Sequence, residues 1–167
     1  DDYGDDTVSG SIVAGNDCND SDSAIKPGVS EIVGDNVDQN CNDQEICYVD
    51  DDDDGYRLTS TLTSSDTDCN DAGEGLAADP TGDCDDGSAT TFPGAASNDS
   101  TTDCMRDDDL DDYGDDTVFG IIVAGNDCND GDSAINPGAS EIVGDSVDQD
   151  CNTREICYVD GDDDGYR

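Results

Sequence analysis

The chain has 167 residues, 46 acidic against 5 basic, and a formal net charge of −41. Leu, Ile, Val and Phe together make 26 residues, too few for an ordinary oily core in so charged a chain. This composition excludes nucleic-acid binding, which needs a basic surface, and membrane insertion, which needs about 20 successive apolar residues.

Taken in order, the chain opens on Asp1, in the middle of an acidic loop, and continues into Thr7–Ala14, which reads as a short strand. Asp17-Cys18-Asn19-Asp20 follows, then Pro27-Gly28-Val29, with Glu31 just beyond. Asp38-Gln-Asn40-Cys-Asn42 places oxygens at alternate positions, and Glu31 is expected to close a second cation cluster there. Asp50-Asp-Asp52-Asp-Asp54-Gly55-Tyr56 is the first half of an EF-hand-like loop. Side chains at positions 1, 3 and 5 converge on one ion, Gly at 6 makes the turn, and the residue at 7 offers its carbonyl. Arg57–Thr63 reads as a strand, and Asp68 and Asp71 of a second Asp-Cys-x-Asp element are expected to complete the Asp50 loop. A further such element at 83–86 and Pro93-Gly94-Ala95 lead to the next loop, Asp107, Asp109, Asp111 and Tyr113. There Asp112 stands in place of Gly, and Asp tolerates positive φ better than most residues. Asp127 and Asp130 are expected to complete that site, and Asp17 and Asp20 to complete the one begun at Asp1. Thr117–Ala124 and Ile156–Val159 read as strands, and Pro137–Val143 as one helical turn. Glu141, Asp148, Asp150 and Asn152 repeat the second cluster, and Asp160, Asp162, Asp164 and Tyr166 repeat the loop.

Residues 1–57 align with 111–167 without a gap and differ at ten positions, a period of 110 residues. The expected organisation is a repeat unit at 1–49 that lacks its beginning, one at 50–106 with an insertion near 72–82, one at 107–159, and the start of another at 160–167. The sequence reads as a window on a longer array. Nine Cys in so acidic a chain read as a disulfide framework made in an oxidising compartment, not as a zinc or iron–sulfur site, since neither His nor a CxxC pair occurs. Pairing neighbours gives Cys18–Cys41, Cys47–Cys69, Cys84–Cys104 and Cys128–Cys151 and leaves Cys157 over. Each bridge would stabilise the fold by roughly 3 kcal/mol. Clustered carboxylates about 5 Å apart repel by roughly 0.8 kcal/mol even in water, so counter-charge is needed. Hard oxygen ligands select a hard cation, and Ca²⁺ suits Asp clusters best. Asn19-Asp-Ser21 and Asn98-Asp-Ser100 are sequons, so glycans are expected at Asn98 or Asn19.

The order Asp-x-Asp-x-Asp-Gly-Tyr, Asp-Cys-x-Asp, Pro-Gly-Ala-x-Glu, Asp-x-x-Asp-x-Asp-Cys resembles the MopE-type metal-binding repeats of bacterial and archaeal surface proteins. It is similar in logic to thrombospondin type 3 repeats. The resemblance covers essentially the whole chain and implies a secreted or surface-exposed, calcium-loaded repeat protein. The middle unit departs from the pattern, lacking the Glu after Pro-Gly-Ala. The founding member of the family is linked with copper, but this chain has no His and only Met105 as a thioether. The expected fold is therefore a small, irregular, loop-dominated tandem repeat with short β-strands, held by calcium ions and disulfides. The expected function is an extracellular calcium-binding structural protein. Its partners are other repeats of the same chain, and it forms a stiff fibre, stalk or filament segment. The alternative is a calcium-dependent adhesion or mineral-associated module. Catalysis is not expected, because there is no His and no GxSxG motif.

Overall fold

The computed structural model describes Gly4 and residues 15–166. The strand expected at Thr7–Ala14 and the ligand expected at Asp1 lie outside the described residues. The chain divides into two compact units, Asp1–Ala89 and Thr90–Arg167. That border falls inside the repeat unit read at 50–106.

The described residues contain no helix, only five short strands among turns and bends. In the first unit, β1 (Ile46–Asp50) is the centre of an antiparallel sheet, flanked by β2 (Thr61–Thr63) and β3 (Gly73–Gly75). Its Ile-Cys-Tyr-Val run suits a pleated, half-buried surface. Cys47 pairs with Leu62 across the ladder, and its disulfide to Cys69 lies buried beneath the sheet. In the second unit, β4 (Thr91–Pro93) and β5 (Cys104–Arg106) form an antiparallel ribbon.

Several expected elements differ. The strand read at Arg57–Thr63 is confined to Thr61–Thr63. Leu58 donates its N–H to the Val49 carbonyl while Val49 donates to Ser60, so the ladder is interrupted at Thr59. The Arg57 side chain instead lies 3.5 Å over the Tyr48 ring. Thr117–Ala124 is not a strand. The Asp115 carboxylate accepts the Thr117 N–H, Gly120 turns the chain at φ 100°, and Phe119 and Ile121 are exposed with no neighbouring strand. Ile156–Val159 is irregular although Ile46–Val49, identical in sequence, is β1. No strand among the described residues pairs with it, and strand propensity without a partner does not make a strand. Pro137–Val143 is a turn, not a helical one: the Asn136 carboxamide and carbonyl accept the Gly138 and Ala139 N–H groups. In the first repeat the same step places Gly28 at φ 90°, as a Pro-Gly turn of type II requires.

Cys18–Cys41, Cys47–Cys69 and Cys128–Cys151 are joined as their spacing predicts. Cys84 and Cys104 are both disulfide-bonded and Cys157 is free. Apolar burial among the described residues is limited to Cys47, Cys69, Ala96 and Met105. The largest fully buried side chains are instead Glu45, Thr91, Asp17 and Asp127. The interior is built largely of carboxylates, and this positions the site.

Candidate metal centres

Five stretches adopt one loop geometry. In the loop starting at Asp107, the Asp107 carboxylate accepts N–H groups from positions 5 and 6, Asp111 at 3.1 Å and Asp112 at 2.9 Å. The position 5 carboxylate of Asp111 then accepts the Tyr113 N–H at 2.9 Å. Positions 4 and 6 are left-handed, Leu110 at φ 63° and Asp112 at φ 72°, so Asp does replace Gly here as expected. The loops at 50 and 160 repeat this: Asp53 and Gly55, then Asp163 and Gly165, take positive φ. Tyr56 donates its N–H to Asp54, and Tyr166 to Asp164. The Gly165 N–H lowers the pKa of Asp160, whose carboxylate accepts it; Asp162 is exposed. Such local bonds aim successive side chains at one point.

The second cluster is a loop of the same kind, which alternation alone did not reveal. Asp38 accepts N–H groups from Asn42 and Asp43, Asn42 accepts that of Gln44, and Cys41 and Asp43 are left-handed. Asp148 and Asn152 repeat it, with Cys151 and Thr153 left-handed. Asn40 presents its N–H to Glu31. Carboxylate oxygens of Glu141, Asp148 and Asp150 lie within 4.8 Å of one another.

The loops are completed by a chain segment that returns alongside them. In the second unit, Asp115 and Asp127 form a parallel bridge, and Asp127 donates its N–H to the Gly114 carbonyl at 2.8 Å. The approach is close enough that a Cβ on Gly125 would stand 2.2 Å from the Gly114 oxygen. Asp109, Asp127 and Asp130 thereby converge, as do Asp107, Asp109 and Asp111. Asp130 also accepts the Asp108 N–H and, with Asp108 and Asp115, holds the Arg106 guanidinium. The same approach sets Asp17 against Gly4, with Asp17 buried and Asp20 exposed.

In the first unit a second segment, besides the expected one, returns to the loop. Arg57 bridges Thr81, which carries Asp83 and Asp86 to the loop. Asp51 donates its N–H to Asp86 at 3.0 Å, and Ser88 donates to Asp52 at 2.7 Å. The expected element, Asp68 and Asp71, lies just ahead of β3, where Gly73 pairs with Asp50 and donates its N–H to Asp53 at 2.8 Å. The Asp68 carboxylate accepts the Asn70 N–H, and the Asp71 carbonyl accepts the Glu74 N–H. The signal that could have chosen was spacing. Asp83 precedes Pro93 by ten residues, as Asp17 precedes Pro27 and Asp127 precedes Pro137.

These carboxylates are short of positive partners. Buried oxygens without a hydrogen-bond partner include Asp50 Oδ1, Asp54 Oδ2 and Asp83 Oδ2 in one cluster, and Asp109 Oδ1, Asp109 Oδ2 and Asp127 Oδ2 in another. Asp17 Oδ2, Glu141 Oε2 and Asp160 Oδ1 are likewise unpartnered. Burial, reinforced by the neighbouring carboxylates, raises Asp50, Asp83, Asp107 and Asp109 above the usual range. Burial pushes Asp54 to about 6, helped by Asp52 and Asp83, and Asp127 to about 6, helped by Asp111 and Asp109. Asp130 reaches about 6 by burial and Asp108, against Arg106. A divalent cation is the group that satisfies converging oxygens of this kind, and the donors present are hard oxygens. Sulfur is not offered: Cys128 and Cys151, which lie beside Asp127, are joined to each other.

A family model described as "Putative metal-binding motif" (Cu-binding_MopE) matches residues 17–45, 83–112 and 127–155, together just over half of the chain. All three matches begin at the Asp of an Asp-Cys-x-Asp element, and the second begins at Asp83, not Asp68. No curated protein and no solved structure matches.

Proposed function

Starting from a chain that belongs to the MopE-type metal-binding repeat family, we propose that it is an extracellular calcium-binding structural protein. Each acidic loop orders around a hard divalent cation, and successive repeats form a stiff linear array such as a fibre, stalk or filament segment. The convergence of buried, unpartnered carboxylate oxygens carries this reading. Asp50, Asp52, Asp54 and the Tyr56 carbonyl, with Asp83 and Asp86, would hold one ion. Asp107, Asp109, Asp111 and the Tyr113 carbonyl, with Asp127 and Asp130, would hold another. Asp38, Asn40, Asn42 with Glu31, and Asp148, Asp150, Asn152 with Glu141, would hold two more. Calcium is favoured over copper because the donors are oxygens, His is absent and the single Met, Met105, is buried. The disulfides suit an oxidising, extracellular setting. No residue is assigned a catalytic role.

The test is circular dichroism and protease resistance of the oxidised chain, first in excess calcium and then in chelator. Expansion and cleavage on chelation support the proposal. Unchanged resistance would mean that disulfides alone hold the fold. Metal analysis after equilibration with equal calcium and copper discriminates between the two ions.

A further inference from the structure

Glu45 is not part of any Asp-rich loop. Its backbone is fixed just ahead of β1, its N–H donating to Asp66 and its carbonyl accepting from Ser64. The side chain is 0% exposed; the backbone N–H groups of Ile46 and Gly34 favour its charge, but neither carboxylate oxygen has a well-formed hydrogen bond. An unpaired buried carboxylate is among the most costly groups a fold can enclose. The charges acting most strongly on it are both negative, Glu31 and Asp35. Those two are held in place by the same residue. Gln39 donates its N–H to Glu31 and its side-chain amide to both oxygens of Asp35. Gln39 is itself buried, and its Oε1 accepts the Ile32 N–H. A carboxylate oxygen that accepts one N–H keeps a second lone pair for a cation.

We propose that Glu45, Glu31 and Asp35 form a further divalent-cation site, which ties the turn at Gly34 to the start of β1. Glu155, Glu141 and Asp145 form its copy. There Gln149 again bonds Asp145, Glu155 Oε1 accepts the Gly144 N–H, and buried Oε2 atoms of Glu141 and Glu155 are unpartnered. The ligand is a hard cation of the calcium class, since every donor is a carboxylate. Glu31 thus stands between this ion and the one in the Asp38 loop. The middle family repeat has no such site: residues 83–112 contain no Glu, and Ser97 occupies the place of Glu31. The inference rests on the reading that the acidic loops hold calcium.

The experiment counts calcium ions on the intact, oxidised chain by native mass spectrometry. It compares the unchanged chain, Glu45→Gln and Asp52→Asn, with thermal midpoints in calcium and in chelator. Glu45→Gln should carry one ion fewer. It should melt lower than the unchanged chain in calcium and higher in chelator, where an unpaired buried charge has been removed. An unaltered ion count, with midpoint shifts of the same sign in both conditions, would make Glu45 a buried protonated acid and overturn the site. If Asp52→Asn loses an ion and Glu45→Gln does not, only this site falls. If the unchanged chain carries no calcium, both readings fall. Should Glu45→Gln not fold, the less buried Glu155→Gln replaces it, with the same outcomes.

Discussion

Residues 26–45 and 91–106 follow the same Asp-Cys-x-Asp element, yet they are held by opposite means. The stretch at 91–106 forms a two-stranded ribbon, with Thr91, Ala96 and Met105 buried. The stretch at 26–45 has no strand and encloses Gln39 and Glu45 beside Glu31 and Asp35. One interior is satisfied by the chain itself. The other has oxygens left over. Within one family motif, then, a small apolar core and a carboxylate cluster are alternative interiors for the same segment, and on the proposed reading only the second makes order depend on a ligand.

Removal of calcium should break this comparison most visibly. Hydrogen exchange in chelator is expected to lose protection across 31–45 and 141–155, while the amides of Thr91–Pro93 and Cys104–Arg106 keep most of theirs. Equal loss in both regions would mean that the ribbon also depends on the ion. The next largest effect comes from the apolar side. Met105→Ala should destabilise the second unit by about 2–5 kcal/mol, as large-to-small core changes do. Denaturant titration should give nearly the same loss with and without calcium.

Chain order sharpens the comparison further. Asp83→Asn removes a carboxylate from the Asp50 cluster and should weaken calcium binding there at least about tenfold, since affinity follows the charge of the ligand set. Asp68→Asn should leave binding unchanged. Calcium titration calorimetry on both variants distinguishes them, and an equal loss would place Asp68 at the ion after all.

The loops at 50, 107 and 160 were legible because their chemistry is local. Alternation, a Gly or Asp at position 6 and the following Tyr all lie within seven residues, and local side-chain bonds fix them. The disulfides Cys18–Cys41, Cys47–Cys69 and Cys128–Cys151 were legible for the same reason, since each closes a short loop. What completes the loops was less so. Two identical Asp-Cys-x-Asp patterns occur in the middle unit, and the parallel bridge from Arg57 to Thr81 brings the second of them to the loop. Glu45 gave no signal of its own, because a single Glu before Ile-Cys resembles a strand-edge acid. Only the burial of its whole side chain distinguishes it. The strands expected from β-branched runs at Thr117–Ala124 and Ile156–Val159 failed because a strand needs a partner at hand.

Acidity should separate the two kinds of interior by the sign of a slope. In chelator, Glu45 is raised to about 7, first by burial and then by Glu31 and Asp35, while Asp54, Asp127 and Asp130 are raised to about 6. Each of these folded-state values lies above the ordinary carboxylate one, so the folded state binds protons more tightly than the unfolded chain. Their stabilisation is complete below the unfolded values near 4 and is lost as pH rises through 6 to 7. The metal-free protein should therefore melt several degrees higher at pH 4.5 than at pH 8, an order-of-magnitude expectation from the linkage of proton binding to folding. With saturating calcium the sign should reverse. On the proposed reading the ion would hold the same oxygens ionised and protons would compete with it, so stability should fall as the solution is acidified. Thermal melts at the two pH values, each with calcium and with chelator, give four midpoints. Parallel slopes in the two conditions would show that the buried carboxylates and the ion do not share the same oxygens.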